Sequence, residues 1–269
     1  MSVAPTTGPG TAGAIARASI GRGADLVIAA GGDGTINEVL EGMVHSAVPL
    51  AILPGGTANV LATEMKLGTN VERVVERLPE FQPRRISVGH LSCEGGRVSR
   101  HFLLMAGIGL DAHIVYRVSA ALKARSGKLA YLVAGVGMMG RRLPQLEAEI
   151  GGGRLPCSFA LVSKVRNYGG DFEIARNVTL LDDEFEVVLF EGPSSLSFVK
   201  YVVGMAVNRL SEMKGVTILR AKRVVVSNLE RGRAFAQIDG EFAGNLPAEV
   251  RIVPEALTLL VPGEYGAHM

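Results

Sequence analysis

From residue 25 onward, short apolar runs alternate with glycine-rich turns and with stretches of helical periodicity. Asp25–Ala30 (DLVIAA) is an unbroken apolar run ending in glycines, the pattern of a strand buried on both faces of a parallel sheet. Ile36, Val39, Leu40, Met43 and Val44 then recur at helical spacing, with Asn37, Glu38 and Glu41 on the opposite side. The unit repeats. Pro49–Leu53 (PLAIL) predicts a second buried strand, Pro54-Gly55-Gly56-Thr57 a turn, and Ala58–Lys66 a helix with Leu61, Ala62 and Met65 inward.

After Phe81 the texture becomes β-rich, with predicted strands at Arg85–Leu91, His101–Gly107, Cys157–Val165, Phe185–Phe190, Val224–Ser227, Ala234–Ile238, Val250–Pro254 and Leu257–Val261. Helices are expected chiefly at Ala112–Lys123, Lys128–Met139 and Ser197–Arg209. The fold class this implies is an α/β N-terminal domain with a parallel sheet plus a mainly antiparallel β-sandwich second domain. We expect residues 1–85 to bind a nucleotide, 86–262 to form the β-rich domain, and 263–269 to be a tail. A cleft should lie between the two domains.

Composition narrows the class. At 269 residues with 48% hydrophobic content the chain can fill real cores, and 28 Lys and Arg against 26 Asp and Glu give no argument for nucleic acid. Cys93 and Cys157 lack ligand-type spacing, which disfavours a disulfide framework and fits a reducing cytoplasm. The opening residues show no secretion signal. The most apolar window, Leu129–Gly140, is far shorter than the roughly 20 residues of a spanning helix. Any membrane contact is therefore expected from the surface. Lys123, Arg125, Lys128, Arg141 and Arg142 bracket that window and suit either anionic headgroups or the ends of a core helix. The histidines show no metal spacing.

Candidate chemistry gathers at the turns. Gly31-Gly32-Asp33-Gly34-Thr35 lies between a strand and a helix N-terminus, where unpaired amides and the helix dipole attract an anion such as phosphate. Thr35 can cap that helix or touch a phosphate oxygen, and Asp33 can hold a metal-bound water or orient an attacking hydroxyl. The second turn also ends a predicted parallel strand, and such ends converge on a ligand crevice. Asp239-Gly240-Glu241 follows a β run and, by itself, fits a solvated hairpin loop.

GGDGTINEVLEGM (31–43) followed by LPGGTANVLATEM (53–65) resembles the catalytic signature of the diacylglycerol kinase family, which includes bacterial lipid kinases and sphingosine kinases. NAD kinases and phosphofructokinases share a related first turn, whereas the second favours the lipid-kinase branch. The likeness continues through GKLAYLVAG (127–135), NYGG (167–170), LLDDEFEVVLF (180–190) and QIDGE (237–241). It implies an ATP-dependent lipid kinase that transfers the γ-phosphate to a hydroxyl of diacylglycerol or a related lipid at a membrane surface. A cytoplasmic location, peripheral to the inner face of the membrane, follows from that, and a homodimer is compatible with it. Rival readings are a small-molecule kinase acting on an acceptor such as NAD and a non-catalytic nucleotide or lipid sensor.

The resemblance also implies roles. Nucleotide contacts would come from Gly31, Gly32, Asp33, Gly34, Thr35, Ile36, Asn37, Gly56, Thr57 and Asn59, with Thr7 as a further contact or a helix N-cap. Glu241 would be the base, beside Asp239, with Asp33 as the rival for that role. One Mg²⁺ would arrive with the nucleotide. A second, structural Mg²⁺ would be held by the Asp183 carboxylate and the carbonyls of Leu180 and Phe185. The alternative there is a plain acidic turn. Two departures stand out. Glu184 occupies a position where the family usually has glycine, and the usual opening strand and Asn-Pro turn are not found in residues 1–10, so about one strand and helix look missing.

Overall fold

A computed structural model describes residues 2–110, 112, 142–168, 172–194, 196–207, 209–230 and 233–266. The helices expected at 112–123 and 128–139, with Lys123, Arg125, Lys128 and Arg141, fall outside the described residues, as do Gly169 and Gly170. Arg142 is described and pairs with Glu230 at 3.4 Å.

Helix α1 (Ala12–Gly21) precedes strand β1 (Val27–Gly31) and packs on helix α2 (Asp33–Met43). Strand β2 (Leu50–Pro54) pairs with β1 in parallel, so both glycine turns leave the sheet at the same end. Helices α3 (Val60–Glu64) and α4 (Val71–Arg77) follow. This is the expected repeat, with two corrections. Strand β1 ends the order of its sheet, and Ile28 and Ala30 are exposed while Ala29 is buried, so the run is covered on one side rather than two. Gly32 is the N-cap of α2, which places Thr35 inside the first turn rather than at the cap.

Strand β3 (Gln82–Cys93) leads into β4 (Val98–Phe102) and β5 (Met105–Gly109). Next come β6 (Leu146–Ile150), β7 (Gly153–Cys157), β8 (Phe159–Ser163) and the two-residue strands β9 (Asn167–Tyr168) and β10 (Phe172–Glu173). Strand β11 (Phe185–Phe190), helix α5 (Leu196–Ala206), and strands β12 (Val216–Ala221), β13 (Arg223–Asn228), β14 (Phe235–Ile238), β15 (Glu241–Asn245) and β16 (Ala248–Val261) complete the order.

A six-stranded antiparallel layer, β12-β11-β8-β5-β14-β15, faces the layer containing β4, β3, β16, β13, β6 and β7. Their shared core draws Phe102 and Leu91 from one layer and Phe185, Val187 and Ile238 from the other, with the Phe102 and Phe185 rings stacked 5.9 Å apart. Apolar residues alternate inward on both layers, as a sandwich requires. The domain boundary expected after residue 85 falls inside β3, for a physical reason. Strands β3 and β16 form one antiparallel ribbon from Cys93–Ala248 to Gln82–Val261. One end of β16 lies beside β13 of the sandwich, while Leu259 pairs with Leu50 of the N-terminal sheet. A bulge between Val253 and Leu257, where the His45 amide donates to the Ala256 carbonyl, unites the two strands expected at 250–254 and 257–261.

Candidate active site

The two glycine turns are packed backbone against backbone. The Gly55 amide donates to the Gly31 carbonyl at 2.9 Å, and a Cβ on Gly56 would stand 2.5 Å from the Gly32 Cα. Only glycine permits that approach. Asn59, at φ 46°, closes the second turn, its side chain accepting from the Gly56 amide and donating to the Gly56 carbonyl, each at 2.8 Å. Asp33 then ties the turns together, because its carboxylate accepts from Val60 N at 3.0 Å and Leu61 N at 3.2 Å and so caps α3. Hydrogen bonding within α2 starts from Ile36 N to Gly32 O, which leaves the amides of Asp33, Gly34 and Thr35 without intrahelical partners.

The Asp-Gly-Glu turn between β14 and β15 comes over this N-terminus from the second domain. Asp239, at φ 48°, is half-buried, and its carboxylate accepts from the amides of Leu103, Leu104 and Met105 at 3.1, 3.1 and 2.9 Å. Those amides are withdrawn from strand pairing, which is why the single strand expected at 101–107 divides into β4 and β5. Burial pushes the Asp239 carboxyl up to about 7, with the Asp33 carboxylate adding to the rise and the three amides opposing it. Asp33 and Asp239 line one small pocket with Ile36, Asn37, Leu61, Leu103 and Leu104.

Glu241 is placed differently. Its side chain is 41% exposed, and Oε1 lies 3.1 Å from where a Cβ on Gly34 would stand. Oε2 accepts from Arg100 at 2.9 Å. An open carboxylate of one domain therefore faces the unpaired amides of the other.

The remaining candidates divide. Gly31, Gly32, Gly34 and Thr35 are half-buried at the cleft, and Gly56 and Thr57 are exposed beside them. Ile36 and Asn37 lie behind the turn at 3% and 1% exposure, which keeps their side chains from a ligand at its surface. Both polar atoms of the Asn37 amide are buried without a hydrogen-bond partner among the described residues. Thr7 is exposed in coil and does not cap α1: Thr11 is the N-cap residue, and the Glu38 carboxylate takes the Gly10 and Ala12 amides at 2.7 and 3.0 Å. Arg100 was not read from the sequence, because its partner lies 141 residues away and nothing local marks it.

The acidic segment before β11 has its own cations. Lys164 Nζ, wholly buried, donates to Ser87 Oγ at 2.7 Å and to the Asp182 carbonyl. Burial pulls this ammonium down to about 8, against the attraction of Asp182 and Asp183. Arg220 donates to Asp182 Oδ1 at 2.7 Å and pairs with Glu184 at 3.5 Å. Although burial works against it, Arg220 and Thr179 hold the Asp182 carboxyl below its ordinary range. Asp183 is exposed, Leu180 and Phe185 are buried, and Glu184 does not take a positive φ. Among the described residues no group of three or more His, Cys, Asp or Glu could hold a metal ion. The Lys164 ammonium takes the Asp182 carbonyl, which is not among the three groups suggested for a structural Mg²⁺, so the loop carries a cation of its own beside that set.

The loop is also anchored to the first domain. Leu180 N donates to Tyr265 Oη at 3.1 Å, and Tyr265 Oη donates to the buried Glu64 carboxylate at 2.9 Å. Tyr265, within the stretch expected to be a tail, thus supplies a core contact.

The chain resembles known proteins over both domains. The diacylglycerol kinase catalytic domain matches residues 1–91, and the YegS C-terminal NAD kinase beta sandwich-like domain matches residues 105–261. A diacylglycerol kinase of Bacillus subtilis is 27% identical over 270 residues, spanning 98% of this chain and 86% of the relative. One of Mycobacterium tuberculosis is 26% identical over 257 residues, spanning 91% and 79%. The crystal structure of a diacylglycerol kinase from Bacillus anthracis shares the fold, with a TM-score of 0.75 at 21% identity over 96% of this chain and 84% of that one. Fold and site together define a two-domain kinase of the NAD kinase-like class. Within that class, the chain belongs to the diacylglycerol kinase family of lipid kinases.

Proposed function

We propose that the chain transfers the γ-phosphoryl group of ATP to a hydroxyl of diacylglycerol or a related lipid, with Glu241 as the base. The observation that carries this is the contrast among three acids. Asp33 and Asp239 spend their carboxylates on main-chain amides, whereas Glu241 is open and stands over the N-terminus of α2.

The amides of Asp33, Gly34 and Thr35 would receive the nucleotide's phosphates, with the exposed Gly56 and Thr57 completing the cradle. Mg²⁺ brought with the ATP would neutralise charge developing on the transferred group. Glu241 accepts the proton of the lipid hydroxyl as its oxygen bonds to the γ-phosphorus and the bond to the β–γ bridging oxygen breaks, releasing ADP. Arg100 fixes the orientation of Glu241. None of the described helices is long and apolar enough to cross a membrane.

The test is transfer of labelled γ-phosphate from ATP and Mg²⁺ into a panel of micellar lipids, with NAD alongside. Label in diacylglycerol or another lipid supports the reading and names the acceptor. Label in NAD alone, or none in any acceptor despite ATP binding, removes it.

A further inference from the structure

Asp182, Asp183 and Glu184 stand consecutively in a loop packed between the domains, where Asp182 and Glu184 are partly buried and need partners. Lys164 comes from the end of β8 and Arg220 from β12. Lys164 reaches the loop from inside and shares the Asp182 carbonyl with Ser87 of β3, whose hydroxyl donates to it at 2.9 Å. Arg220 reaches it from outside, bonding the Asn177 carbonyl as well as the carboxylates of Asp182 and Glu184. Two of the three acids are thus paired and the third, Asp183, is solvated.

We propose that Lys164 and Arg220 do the work of a divalent ion in this loop, so that the 177–184 segment, and the contact it makes with the first domain through Leu180 and Tyr265, is held without metal. A buried ammonium persists where it is hydrogen-bonded, since an unpaired one is strongly destabilising. Here it is bonded on two sides. A divalent ion bound by Asp183 would sit in the field of that ammonium, which both Asp182 and Asp183 already attract. Glu184, where family members usually carry glycine, belongs to the same arrangement because it supplies the second carboxylate for Arg220. The inference concerns the nucleotide-free chain and is independent of the phosphoryl-transfer reading.

The experiment is thermal unfolding without nucleotide, in EDTA and in millimolar MgCl₂, for the wild type and for Lys164→Met. The wild type is expected to melt at the same temperature in both, within about 1 °C. Lys164→Met is expected to melt lower by roughly 5 °C or more, with no recovery in MgCl₂. A wild type that loses stability on chelation and regains it with MgCl₂ overturns the proposal, as does a Lys164→Met protein that melts like wild type or recovers in MgCl₂. Should Lys164→Met not accumulate as folded protein, the wild-type comparison stands alone and Arg220→Gln is measured in the same way.

Discussion

The cleft and the 177–184 loop both hold partly buried acidic side chains, and they satisfy them by different means. At the cleft, Asp33 and Asp239 are met by five main-chain amides from segments far along the chain. In the loop, the single guanidinium of Arg220 meets the carboxylates of both Asp182 and Glu184, with the Thr179 amide and hydroxyl also donating to Asp182. Amides carry no net charge and cannot be replaced by mutation, so the cleft can leave one further carboxylate, Glu241, free for chemistry. The loop sets one guanidinium against two carboxylates and one ammonium against its main chain, and serves as an anchor.

The sharpest way to test that contrast is to remove Glu241, the one of the three acids held by a part-exposed ion pair with Arg100 rather than by main-chain amides. Glu241→Ala is expected to lower phosphoryl transfer roughly 10²–10⁴-fold while ATP affinity and melting temperature stay at wild-type values; an active Glu241→Ala enzyme would exclude it as base. Gly56→Ala forces a methyl group against Gly32 and is expected to cost about 1–3 kcal/mol in urea unfolding, with weaker ATP binding. Tyr265→Phe leaves Leu180 N without its acceptor and Glu64 with one donor fewer, a loss of about 1–3 kcal/mol by the same measurement with ATP affinity unchanged. Asp33→Ala removes the cap of α3, expected at about 1 kcal/mol, and weakens ATP binding, which no loop substitution should do.

The comparison is also sharpened by a pH dependence. The Asp239 carboxyl is raised in the folded chain to about 7, while its unfolded value is about 3.9. Between these values the folded chain holds a proton that the unfolded chain has released. The stability it contributes is therefore full below about pH 4 and is lost as pH rises through about 7. Asp239→Asn should flatten that part of the stability profile; an unchanged slope would mean the carboxylate is ionised throughout.

The parts of the molecule legible in the sequence are those where the backbone itself imposes a residue type. Gly32 and Gly56 touch, so both must be glycine, and the strand, turn and helix repeat around them shows directly in the apolar spacing. The resemblance extends this to the Asp-Gly-Glu turn. What stayed hidden depends on partners distant in sequence. The division of β4 from β5 comes from Asp239, more than a hundred residues later, and the join within β16 is masked by Pro254 at the bulge. Strand β7 carries Pro156 and β6 carries Glu147 and Glu149, which obscures both. Arg100, Lys164, Arg220 and Tyr265 each look ordinary until the fold sets them beside an acid.

The ribbon of β3 and β16 has a mechanical consequence. Two-domain enzymes commonly open by swinging on slack linkers, but here the crossing is a pair of strands bonded edge to edge over most of their length. Opening of the cleft must therefore twist a beam about its one irregular point, the bulge at Val253–Leu257, rather than turn a free joint. The same beam makes the halves inseparable: cutting the chain between residues 91 and 105 leaves each fragment with one rail of a two-rail track. Neither fragment should fold as the corresponding part of the whole.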